Sequence, residues 1–164
     1  MLKLFEYNWQ VREDWFNWCE TVNEEELLKQ RTGGVGSILY TLYHIINVEL
    51  GWISGMQGSQ GQFRHFEDCN SVAKLREYSA QSHAQIAPFL YAWDGSLQDR
   101  ILKDQNHEGE WEQFRYGEVL QHVLVHEIHH IGQLSIWSRE LGKQPVTANL
   151  IRRGLFDPIV HPSV

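Results

Sequence analysis

Clustered positive charge, long apolar runs and cysteine pairs are all missing from this chain, and each gap removes a class of protein. The 14 lysines and arginines face 21 aspartates and glutamates, a formal net charge of −7, and the basic residues form no cluster. A surface that displaces counterions from a phosphate backbone needs such a cluster, so no nucleic-acid partner is expected. No segment approaches the roughly 20 consecutive apolar residues of a membrane span. The opening residues Met1 to Asn8 contain no run of signal-peptide length. The expectation is therefore a cytoplasmic protein without a membrane partner. Two cysteines, Cys19 and Cys69, lie far apart, which suits an intracellular chain with reduced thiols rather than a disulfide framework. Repeats, low-complexity tracts and linkers are lacking too, so residues 1–164 read as a single domain able to bury its own core.

Aromatic residues, by contrast, are plentiful: seven Trp, seven Phe and six Tyr. Such rings fill gaps between helices or line a pocket. Apolar residues recur at helical period through most of the chain. Leu4, Val11, Trp15 and Trp18 form one stripe, beside Phe5, Trp9, Phe16 and Cys19, predicting a helix over 3–21. The loop Thr32 to Gly36 breaks the pattern, and Ser37 is a suitable N-cap for a second helix over about 37–55. That helix is apolar round nearly its whole cylinder, from Ile38 to Ile53, with His44 as the polar exception, which marks a central element. Gly55 to Gly61 reads as a loop, and a third helix runs from an Asn70 or Ser71 cap to Trp93, stopped by Asp94-Gly95. Residues 96–115 fit either a small hairpin or an irregular arm. A fourth helix over about 117–141 ends at Gly142, with Pro145 beyond and at most one helical turn in the tail. The fold class expected is all-α: an antiparallel four-helix bundle, with that hairpin or arm before the last helix.

The last helix carries the most specific chemistry. His126 and His130 are four residues apart, so their rings leave the same side of a helix one turn apart and can reach one divalent cation at about 2.0–2.1 Å. On the helical wheel Leu120, Leu124, Ile128, Ile131 and Leu134 centre the buried face, while His122 and His129 point away as solvated or supporting residues. His44 is the best third ligand, because its central helix must pack on the last one. His65, His83, His107 and His161 are read as surface residues. Three histidine ligands leave a coordination position open, the arrangement of a catalytic metal rather than a closed structural one. Glu127 falls near the centre of the apolar face, where a carboxylate needs a partner: a hydrogen-bonding polar group, the second nitrogen of a ligand imidazole, or the metal itself.

The blocks Leu42-Tyr43-His44-Ile45-Ile46-Asn47-Val48-Glu49 with Trp52, and Gly117 through Leu134, resemble the DinB/YfiT-like family of small metal-binding four-helix bundles. That family is unrelated to the DNA polymerase sharing the DinB name. The resemblance covers essentially the whole chain and carries the family's metal triad onto His44, His126 and His130. It implies zinc or nickel as the ion, a homodimer, and kinship with enzymes that transfer a low-molecular-weight thiol such as bacillithiol. One departure is Ile131, where members often have arginine directly after the paired histidines.

Three functions follow as expectations. The first is a metal-dependent thiol S-transferase acting on a small-molecule substrate, with Trp52 and Trp137 as candidate walls of an apolar pocket. The second is a metal-dependent hydrolase, since His126-Glu127-x-x-His130 matches the zinc-protease motif with Glu127 as candidate base. Against a protease, no histidine follows at the spacing with Gly that metzincins need, since position 133 is Gln. The third is a non-catalytic, stress-related metal-binding bundle. A di-iron carboxylate bundle would need Glu-x-x-His on two helices, and only Glu127 to His130 supplies it.

Overall fold

Long helices of apolar period make up most of the molecule. The computed structural model describes residues 1–106 and 108–156. Its elements are α1 (Leu2–Cys19), α2 (Glu24–Leu28), α3 (Ile38–Gln57), α4 (Val72–Tyr91), β1 (Ile101–Gln105), β2 (Trp111–Arg115) and α5 (Tyr116–Glu140), with a single 3-10 turn at Phe66–Asp68. Helices α3 and α1 each pack against both α4 and α5, so the four long helices close a ring round a shared core. Trp15, Phe5, Phe16, Tyr78, Leu39, Leu42, Ile46 and Leu50 are all fully enclosed there. Each such side chain contributes roughly 1.5–3 kcal/mol of apolar burial.

The helix ends follow from local chemistry. Ser37 caps α3 by accepting from the Tyr40 N–H at 3.1 Å, and Ser71 opens α4. At the far end of α5, Gly142 adopts φ +67° while Lys143 N donates to the Ser138 carbonyl at 2.9 Å. That left-handed residue and 6→1 bond satisfy carbonyls the helix would otherwise leave bare.

The all-α expectation needs correcting, because residues 101–115 form a two-stranded antiparallel sheet with Leu102 opposite Phe114. Asn106 makes the turn possible: its side-chain oxygen accepts from the Glu108 and Glu110 amides at 3.0 and 2.9 Å. The hairpin alternative therefore holds over the irregular arm. The short α2 was not anticipated, although Asn23 caps it and Glu24, Glu25 and Glu26 fill its first turn. Helix α3 continues through Gln57, two residues past the expected end at 55, before Gly58 ends it at φ +68°. Ile128, assigned to the buried face of α5, is 46% exposed. The face that packs inward runs through Val119, Val123, Glu127, Ile131 and Leu134. Glu127 stands at its centre, as expected, and Ile128 is carried about 100° round from it to solvent. His107 and His161, both expected at the surface, lie outside the described residues. No helix among the described residues is long and apolar enough to cross a membrane.

Candidate metal centre

Helix α3 delivers His44 and helix α5 delivers His126 and His130, and the three rings meet where the two helices pack. The Nε2 atoms of His44 and His126 are 3.0 Å apart, and those of His126 and His130 are 3.2 Å apart. One nitrogen from each ring lies within 4.8 Å of the other two. Nitrogens held about 2.0–2.1 Å from one tetrahedral cation stand about 3.3–3.4 Å apart, close to the two Nε2 separations. His126 Nε2 is approached by two other imidazole nitrogens at once, and one ring N–H cannot satisfy both. A positive centre between them resolves the conflict, so the residues present fit a divalent cation.

The electrostatics favour the same state. A metal ligand must be a neutral imidazole. Burial, then the nearby rings of His130 and His44, push His126 down to about 3. Burial and the His130 ring lower His44, and burial lowers His130 against the opposing pull of its bond to Gln133. Among the described residues, His122 and His129 are exposed and stand outside the converging set. The His122 ring stacks edge-on against Trp52 with centroids 5.7 Å apart. His65 is exposed as expected, whereas His83 is half-buried, its ring edge-on to Trp9 at 4.3 Å.

Directly behind the histidines lies a group of charges that the sequence reading did not identify. Arg12 of α1 is buried and forks onto both oxygens of Glu127, Nη2 to Oε2 at 2.6 Å and Nε to Oε1 at 3.0 Å. Its remaining Nη1 reaches Glu49 Oε2 of α3 at 2.8 Å, and Trp9 Nε1 donates to the other Glu49 oxygen at 2.8 Å. The partner Glu127 needed is thus a hydrogen-bonding polar group, the first of the alternatives foreseen, and it is a guanidinium. Burial opposes the charge on Arg12, but Glu127 and Glu49 outweigh it and move the guanidinium upward. Burial likewise pushes Glu127 up, opposed by Arg12. Two short charge-assisted bonds on one carboxylate keep it ionised at neutral pH. A clue was available: Asn8 and Arg12 sit among Phe5, Val11, Trp15 and Cys19 on the buried stripe of α1, and a buried arginine implies a carboxylate elsewhere.

One turn before His126 on α5, Trp52, Phe114, Glu118, Val119 and His122 line a half-open pocket of about 210 Å³. The hairpin supplies Phe114, whose ring stands edge-on to Trp52 at 5.6 Å. Trp137, the other expected wall, is buried instead and donates its Nε1 to the Thr32 carbonyl at 3.3 Å. Ile131, the departure from arginine, is packed into the core.

Comparison with known proteins shows the family. The model of the DinB family matches residues 1–154. The chain is 44% identical over 158 residues to YizA of Bacillus subtilis (strain 168), itself uncharacterized, covering 94% of this chain and 96% of that protein.

Proposed function

This chain belongs to the DinB family, and on that premise we propose that it is a divalent-metal-dependent enzyme with His44, His126 and His130 as ligands. The observation that carries the proposal is the meeting of three neutral imidazoles from α3 and α5 around one point. An all-nitrogen set suits zinc and nickel. A cation bound there would act as a Lewis acid and hold a thiol as its more nucleophilic thiolate.

The reaction we assign is transfer of a low-molecular-weight thiol, bacillithiol-like, onto a small electrophile, as the family resemblance implies. The cavity beside Trp52, Phe114 and His122 supports it by offering an apolar wall for the electrophile. We assign Glu127 a structural role rather than that of a base, since Arg12 occupies both of its oxygens, and this disfavours hydrolysis through the zinc-protease motif. The same reading takes the whole chain as one antiparallel four-helix-bundle domain that forms a homodimer in the cytoplasm. The exposed apolar side chains of Val125, Ile128 and Ile136 on α5 support the dimer, and the free thiols of Cys19 and Cys69 a reducing compartment.

The test is metal content after purification, followed by activity. His44→Ala or His130→Ala should abolish stoichiometric zinc or nickel, and His122→Ala should retain it. Undiminished metal in His44→Ala would remove that residue from the site. Incubating the metal-loaded protein with bacillithiol, glutathione or cysteine and an electrophilic dye should give conjugation above background, lost in His130→Ala. No conjugation with any of the thiols would leave metal binding without transferase activity.

A further inference from the structure

Gln133 lies one turn beyond His129 and three residues beyond His130, at the position where the extended zinc-protease pattern has glycine. Its amide touches both histidines. Oε1 stands 2.7 Å from His130 Nδ1, and Nε2 stands 3.0 Å from His129 Nε2. In a neutral imidazole one nitrogen carries the proton and the other a lone pair, and the proton's place is set by what each nitrogen meets. His130 Nε2 faces His126 Nε2 at 3.2 Å within the converging set. To offer a lone pair there, His130 must carry its proton on Nδ1, and Nδ1–H then needs an acceptor.

We propose that Gln133 is a positioning residue for the metal centre: its side-chain oxygen accepts from His130 Nδ1–H and so locks His130 in the tautomer that presents Nε2 to the cation. This inference rests on the metal-binding reading above and deepens it. The amide is itself fixed at both ends. With oxygen committed to His130, the NH2 group points to His129 Nε2, which accepts, so His129 serves as a brace without entering the site.

The loop before α3 completes the seat. Gly34 has φ +62°, and a Cβ at that position would lie 2.7 Å from Gln133 Oε1 and 2.9 Å from Trp137 Cη2. A side chain at position 34 would therefore displace the Gln133 amide or the Trp137 ring, and the positive φ favours glycine there. Trp137, bonded to the Thr32 carbonyl at 3.3 Å, holds the same loop in place. Residues 32–34 thereby act on His130 through Gln133, although none of them has a donor atom in the site. Partners that orient a ligand histidine in this way typically affect metal affinity about 10- to 100-fold.

Two measurements test the assignment. The first is the tautomer of His130 in metal-free wild-type protein, from ring ¹⁵N shifts at about pH 8, where an ordinary imidazole is neutral. The proton should reside on Nδ1, and in Gln133→Leu it should divide between the two nitrogens. A proton on Nε2 in the wild type would overturn the proposal whatever the variants do. The second is zinc affinity by chelator competition, with cobalt(II) absorption reporting the ligand set. Gln133→Leu should weaken zinc by about 10- to 100-fold, and Gln133→Glu, whose carboxylate also accepts from Nδ1–H, should recover most of the loss. Equal affinity in the wild type and Gln133→Leu would refute the role, as would failure of Gln133→Glu to rescue. A merely space-filling glutamine would show neither the tautomer change nor the rescue. Wild-type protein that takes up no zinc would refute the metal reading instead, and the tautomer of the metal-free protein would still decide the part played by Gln133.

Discussion

His126 and Glu127 are consecutive residues on α5, yet they serve two regions with opposite electrostatic demands. His126 faces α3 and two other imidazoles, in a setting that keeps it neutral. Glu127 faces α1 and a buried guanidinium, in a setting that keeps a charge. The 100° between successive residues of a helix lets a single element separate them. The charged region is complete within the protein, each Glu127 oxygen having a donor. The neutral region converges three nitrogens on a point where no protein group can satisfy all of them. Polar side chains enclosed by a core can thus mean two things, and what distinguishes them is whether the partners add up without an outside ion.

This contrast can be broken most sharply at Arg12. Replacing it with Leu leaves Glu49 and Glu127 buried without their counter-charge, and removing one partner of a buried pair costs about 3–5 kcal/mol. Chemical denaturation of Arg12→Leu should register a loss of that size, and a variant as stable as the wild type would mean that the charges are not enclosed as described. At the neutral region the corresponding experiment is acidification of metal-free protein. Below the ordinary imidazole value of 6.5 the unfolded chain gains protons that His126, held down to about 3, refuses. His44 and His130 are lowered as well. The unfolded state therefore binds more protons between those limits, and stability should fall steadily as pH drops from about 6.5 towards 3 while staying level above it. Urea midpoints that do not move between about pH 7 and 5 would contradict this. Replacing His126 with Leu should flatten the slope.

Smaller effects sharpen the boundary between inside and outside on α5. Ile131→Ala should cost about 2–5 kcal/mol as a core truncation, since its side chain packs among the enclosed residues. Trp9→Phe removes the indole N–H from Glu49 and should cost about 1–3 kcal/mol through a buried acceptor left bare. Ile128→Ala, at an exposed site, should change monomer stability by no more than about 0.5 kcal/mol. Thermal melts of the three variants side by side would rank them, and a large loss at Ile128 would reinstate it in the core.

Much of the site was legible because its signals are local or strongly contrasted. His126 and His130 declare themselves by spacing on one helix, and His44 by being polar within an apolar cylinder. Glu127 could be flagged as needing a partner for the same reason. The identity of that partner carried a fainter signal: Arg12 falls on the buried stripe of α1, but it lies 115 positions away, and only packing of the helices pairs the two. Ile128 was misplaced because it lies on the edge of that face, about 100° from Glu127, where an apolar side chain does not by itself decide between core and solvent. The hairpin stayed ambiguous between two forms: its strands bury little beyond Leu102 and Phe114, so the alternation that marks a half-buried sheet is faint. The short α2 did carry a signal, Asn23 followed by three glutamates, which goes unnoticed when only apolar periodicity is sought.

His44 and His126 are separated by 82 positions in the chain, so their rings become neighbours only once α3 and α5 have docked. An ion gripped by both would recognise the folded molecule and have no comparable site on the unfolded one. By mass action such an ion adds about 2.7 kcal/mol of stability when its free concentration is a hundred times its dissociation constant. The centre would then serve as a reversible cross-link between distant stretches of chain, tightening the fold in metal-replete surroundings and relaxing it under metal starvation.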